Sequence, residues 1–128
     1  ERIPKEGYIF SGGFQAGLGR KFGRCGLSFC ADLARLSADG EGIKHPGYFF
    51  GMLAGGHLNA QLVGNIIRAL PEGVSEIMTH PGLETAPLAK LYAWHYTWET
   101  ELESYLNDEN KALLKQEGVE LINFGGLD

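Results

Sequence analysis

No apolar run in this sequence is long enough to span a bilayer, and no charged-then-apolar leader opens it. Neither a membrane span nor a secretory leader is therefore expected. Basic charge is scarce: Lys and Arg number 11 against 16 Asp and Glu, a net charge of -5. A phosphate-backbone binder needs a basic face, so no nucleic-acid partner is expected. Only Arg20, Lys21 and Arg24 lie close together, and that trio reads as a solvated helix face. Cysteine is also rare. Cys25 and Cys30 sit five apart in a segment that reads as helix, where their side chains diverge. That geometry is poor for a disulfide, and reduced core thiols in a cytoplasmic protein are the expectation.

Several chemical signatures are missing as well. Of the four histidines, His45, His57, His80 and His95, no two stand at H-x-H or H-x-x-x-H spacing, and there is no C-x-x-C. A self-contained zinc site is not expected. There is no G-x-S-x-G elbow, and Ser11 in FSGGF reads as a plain turn. GLGRKFG gives G-x-G-x-x-x-G at Gly17, Gly19 and Gly23, which misses the dinucleotide spacing even though Asp39 lies about twenty positions on. A surface loop or lid is the stronger reading of this segment, with nucleotide binding a weaker one.

What is present organises into a single α/β domain over residues 1–128, with 44% hydrophobic and 21% charged residues. Ile3-Pro4 ends whatever precedes it, since proline cannot continue a ladder. Glycines crowd the stretch from Gly7 to Gly26, which reads as irregular until about Phe22. A helix is predicted over 27–38 and a short buried strand at Tyr48, Phe49 and Phe50. The clearest helix is 57–70, with Leu58, Leu62, Val63, Ile66, Ile67 and Leu70 on one face, stopped by Pro71-Glu72-Gly73. A strand follows over 74–79. A loop leads to a helix at 97–106 carrying Trp98, Leu102 and Leu106, then a helix at 109–117 closed by Gly118, and a final strand, VELINF, at 119–124. This alternation suits a parallel sheet.

The tripeptide HPG occurs twice, at His45 and at His80. The first precedes an apolar run and reads as a turn. The second closes a predicted strand, at the carboxyl edge where βα units gather functional groups. Strand alternation puts Glu76, Met78 and His80 on one face, although Glu76 and His80 are about 13 Å apart in an extended strand and cannot touch. A histidine there is placed for proton transfer near neutral pH. Taken alone, the residues still favour a structural role for His80. Tyr92, Trp94, Tyr96 and Trp98 in LYAWHYTWE could form a saccharide-stacking wall or simply the buried face of a helix.

Four segments, in order, change the weighting: RIPKE at 2–6, YFFGMLAGGHL at 48–58, LPEGVSEIMTHPG at 70–82, and WETELESYLNDENKALLKQEGVELINF at 98–124. Together they resemble the YdjC-like carbohydrate deacetylases, the group of the chitooligosaccharide deacetylases and a hopanoid-associated relative. The resemblance implies a (β/α) barrel of the NodB/YdjC type. It also implies a metal-dependent hydrolase that removes acetyl groups from N-acetylated sugars, using a divalent metal such as Mg or Zn, an aspartate base and a histidine acid. On that likeness His80 takes the acid role, Arg2 and Glu6 orient the site, Glu76 supports the wall beneath it, and Trp94 and Tyr96 are weaker substrate contacts. The family's metal ligands have no counterparts here. A full barrel takes about 250 residues, so the chain is expected to be roughly the C-terminal half, without metal and inactive alone. Half a barrel also exposes strand edges, which implies a homo-oligomer or pairing with the missing half. The rival from another class is a non-catalytic saccharide-binding or assembly module.

Overall fold

The computed structural model describes residues 18–127. Its elements run α1 (Leu18–Gly40), β1 (Tyr48–Phe50), α2 (Ala60–Arg68), β2 (Ser75–Ile77), α3 (Thr85–Leu91), α4 (Trp98–Leu106) and α5 (Asp108–Gln116), followed by a 3₁₀ turn at Phe124–Gly126. Strands β1 and β2 are parallel, with Tyr48 opposite Ser75, Phe49 opposite Glu76 and Phe50 opposite Ile77. Helix α2 is the crossover between them, so the centre of the fold is a βαβ unit.

Why α2 forms is legible in its residues. Asn59 caps it, its side chain accepting the Leu62 N–H at 2.9 Å, which satisfies one of the four orphan donors at a helix start. Its apolar face buries Leu62, Val63, Ile66 and Ile67, which join Phe50, Leu53, Ala54, Leu58 and Leu113 in one core. That face packs on α4 and α5, which also pack on each other. Asn110 of α5 is buried and donates to the Ala60 carbonyl at 3.0 Å and the Ser104 carbonyl at 3.1 Å. One amide thereby ties three helices together. Gly118, at φ +67°, ends α5 in the left-handed conformation that glycine adopts at helix ends.

Several expectations are corrected. The helix of the first third begins at Leu18, not near Phe22, and takes in Gly19, Gly23 and Gly26; helix-forming Arg and Lys lie between the glycines, with Leu on either side, and offset their cost of about 1 kcal/mol each. With Gly19 and Gly23 inside a helix, the phosphate-loop reading loses its loop. Cys30 is a free thiol but exposed, so it is not a core residue. Residues 85–91, read as loop, form α3; Pro87 falls in its first turn, where a missing N–H costs nothing. The final strand at 119–124 is absent, and Leu121, Ile122 and Phe124 are exposed. The stripe predicted for α4 is out of phase: its buried residues are Trp98, Glu101 and Ser104, while Leu106 is 60% exposed. Among the described residues the sheet has two strands and no barrel closes, so the structure is mixed α/β. No helix among these residues is long and apolar enough to cross a membrane.

Candidate functional site

Strand β2 stops at Ile77, and the chain continues extended through Met78, whose N–H donates to the Phe50 carbonyl at 3.0 Å. His80 therefore lies just past the carboxyl end of β2, as the sequence implied. Across from it runs the loop from Gly51 to His57, which follows β1. Gly55 makes the approach possible: a Cβ there would stand 3.0 Å from Met78 Cε and 3.4 Å from His80 Cε1. Beyond His80, the Gly82 N–H donates to the Trp98 carbonyl at 3.2 Å, and a Cβ on Gly82 would meet Trp98 Cβ at 3.1 Å. The second HPG thus carries the chain from the end of β2 onto the start of α4.

The aromatic run lies between α3 and α4 and folds back over this edge. Tyr92 stacks on Trp94 at 4.6 Å between ring centroids, Trp94 meets Tyr96 at 5.6 Å, and Tyr96 meets Trp98 at 5.8 Å. Tyr96 is the hub, because it also packs edge-on against His80 at 4.8 Å and against His57 at 5.8 Å. Edge-to-face contacts of this kind fix the plane of a ring. The run is anchored through Thr97, whose N–H donates to the Gly56 carbonyl at 2.8 Å. Exposure falls along the series, from Trp94 at 52% to Trp98 at 5%. The run is therefore neither wholly a wall nor wholly a core face; it starts in solvent and ends in the core.

Behind His80 stands a residue that sequence reasoning missed. Glu101 of α4 is fully buried. Its Oε1 accepts the Leu58 N–H at 3.0 Å and its Oε2 accepts the His80 N–H at 2.5 Å. Oε2 also lies 3.8 Å from His80 Nδ1. Next to it, burial pushes the Tyr105 phenol well above its usual value; the Glu101 charge adds to the shift and the Thr79 side chain opposes it. The signal for Glu101 was available: it follows Trp98 by three residues, on the face that Trp98 buries.

The remaining site residues fall as follows. Glu76 is in β2, half-buried opposite Phe49, one strand length before His80. Arg2 and Glu6 lie outside the described residues. His45 stands apart from this edge, joined to Asp39 and to the Pro46 carbonyl. The donor set does not fit a metal: no three His, Cys, Asp or Glu side chains converge among the described residues. The chain matches the family model described as YdjC-like protein over residues 7–116. No curated protein and no solved structure matches it.

Proposed function

Because the chain belongs to the YdjC-like protein family, we propose that it is the acid-bearing part of a NodB-type barrel hydrolase that removes acetyl groups from N-acetylated sugars of the chitooligosaccharide kind. His80 is its proton donor. The observation that supports this most is the continuous contact from exposed Trp94 through Tyr96 to His80. A sugar ring stacked on Trp94 and Tyr92 would lie beside Tyr96, one ring away from the imidazole.

Amide hydrolysis breaks the C–N bond, and the nitrogen is a very poor leaving group until it is protonated. A protonated histidine beside that nitrogen supplies the proton, and such a group contributes about 10²–10⁴-fold to rate. In this reading a water adds to the amide carbonyl, and His80 gives its proton to the nitrogen as the resulting tetrahedral carbon collapses to acetate and the amine departs. Tyr96 fixes the plane of the His80 ring, and Glu76 buttresses the strand beneath. Arg2 and Glu6 would orient the reacting groups. The described residues cannot hold the family's divalent metal, Mg or Zn, so its ligands would come from elsewhere in the protein. The exposed Phe29, Leu33 and Leu36, at i, i+4 and i+7 on α1, support packing against a second copy or the rest of a barrel.

The test is acetate release from N-acetylated chitooligosaccharides by the full-length protein with divalent metal. His80→Ala is expected to lower kcat by about 10²–10⁴-fold, and Trp94→Ala to raise KM while leaving kcat nearly intact. Unchanged turnover in the His80 variant contradicts the assignment. A second reading, a saccharide-binding module without catalysis, is favoured by the exposed stack of Tyr92 on Trp94. It predicts binding without acetate release, lost in Trp94→Ala.

A further inference from the structure

A fully buried carboxyl group is costly unless its oxygens are satisfied. Glu101 meets that condition with two backbone donors that belong to two different elements. Leu58 immediately precedes the α2 cap Asn59, and His80 follows β2, so one side chain holds the entry of α2 and the exit of β2 against α4. Both oxygens act as acceptors, the role of a carboxylate. The His80 Nδ1 atom is itself buried and makes no hydrogen bond. It faces Oε2 across 3.8 Å, about 1 Å beyond hydrogen-bond length. Catalytic hydrogen bonds are often long before substrate binds and tighten afterwards.

We propose that Glu101 is a positioning residue for His80. Its carboxylate fixes the His80 backbone and takes the Nδ1–H, which leaves Nε2 as the atom that carries the transferable proton. The other groups around the imidazole do not compete for Nδ1. Tyr96 meets the ring edge-on, and the Tyr105 phenol stays protonated beside Glu101. A neutral histidine in water prefers the Nε2–H form, so a dominant Nδ1–H form requires a fixed acceptor such as this one.

The catalytic half of this inference rests on His80 being the proton donor; the tautomer does not. Long-range ¹H–¹⁵N spectra of the ring nitrogens, recorded on the full chain at a pH where the ring is neutral, read the tautomer directly. The expected result is Nδ1–H in the wild type and a shift towards Nε2–H in Glu101→Gln. The glutamine keeps the volume and one acceptor but turns a donor towards His80. An Nε2–H form in the wild type overturns the proposal, and so does the same tautomer in both proteins. The wild-type spectrum decides even if the variant fails to fold. In the full-length protein, Glu101→Gln should lower kcat by on the order of 10²–10⁴-fold with KM little changed. An Nδ1–H wild type together with full activity in His80→Ala would retire the acid role and leave the positioning intact.

Discussion

Replacing Gly56 by alanine would test how the aromatic run is held against the site. Gly56 has φ +85°, and a Cβ there would lie 2.3 Å from Tyr96 Cδ1 and 2.5 Å from both Cε1 and Cγ. Two costs follow. A left-handed backbone conformation costs an L residue about 1–2 kcal/mol. Forcing a methyl into a rigid ring costs about 1–3 kcal/mol more, because an aromatic ring has no flexible tip to swing away. The expected loss is therefore about 2–5 kcal/mol. With a urea slope of about 2 kcal/mol/M, the unfolding midpoint should fall by about 1–2.5 M. Tryptophan emission reports the transition, since Trp94 and Trp98 both touch Tyr96. The Gly56→Ala, Tyr96→Ala pair separates the two costs: removing the ring relieves the clash, and only the backbone term of about 1–2 kcal/mol should remain. An alanine variant with an unshifted midpoint and slope would show that Tyr96 does not seat on Gly56.

Other perturbations reach different parts of the structure. Glu101→Ala leaves the buried Leu58 N–H and the part-buried His80 N–H without acceptors. The first costs about 1–3 kcal/mol and the second less, so a loss of about 1–4 kcal/mol is expected in the same urea assay; a loss below about 0.5 kcal/mol would refute the clamp. Tyr105→Phe should raise stability, by up to about 1–3 kcal/mol, because the buried hydroxyl makes no hydrogen bond of acceptable geometry and its desolvation is uncompensated. A clear loss would instead show that the Thr79 side chain, which opposes the rise in the phenol's pKa, is a true partner. His45 presents Nδ1 to the Pro46 carbonyl at 2.9 Å and Nε2 to Asp39 at 3.0 Å, and only the charged ring donates from both. The Pro46 carbonyl first, and Asp39 second, raise its pKa above the ordinary 6.5. The stabilisation is thus complete below pH 6.5 and fades as pH rises through the raised folded-state value. Asp39→Asn should lower the His45 midpoint followed by NMR, and an unmoved midpoint would contradict the pairing.

The sequence exposes those parts of the fold where one physical signal dominates. Helix α2 is readable because its apolar residues repeat at the helical period and a proline and a glycine stop it. The end of β2 is readable because HPG cannot continue a strand. Helix α4 misleads because its buried face contains Glu101 and Ser104, which no hydrophobic pattern marks; the Ser104 hydroxyl donates to the Glu101 carbonyl within the helix, while the Glu101 carboxyl is satisfied by groups distant in sequence, the Leu58 and His80 amides. VELINF has the composition of a strand, yet strand propensity is realised only against a neighbour, and none lies beside it among the described residues. The site divides in the same way. His80 could be picked out by its place at a strand end. Its carboxylate partner, 21 residues later, becomes visible only once the chain is folded.

The central claim is that His80 protonates the departing nitrogen of an N-acetylated sugar, and it is tested most directly by changing what departs. 4-Nitrophenyl acetate loses a phenolate that needs no proton, whereas the sugar amide loses an amine that does. Acetate release from both substrates should be compared in the wild-type full-length protein and in His80→Ala. A general-acid role predicts a loss of about 10²–10⁴-fold on the amide and little loss on the ester. Equal losses on both, or none on the amide, would contradict it.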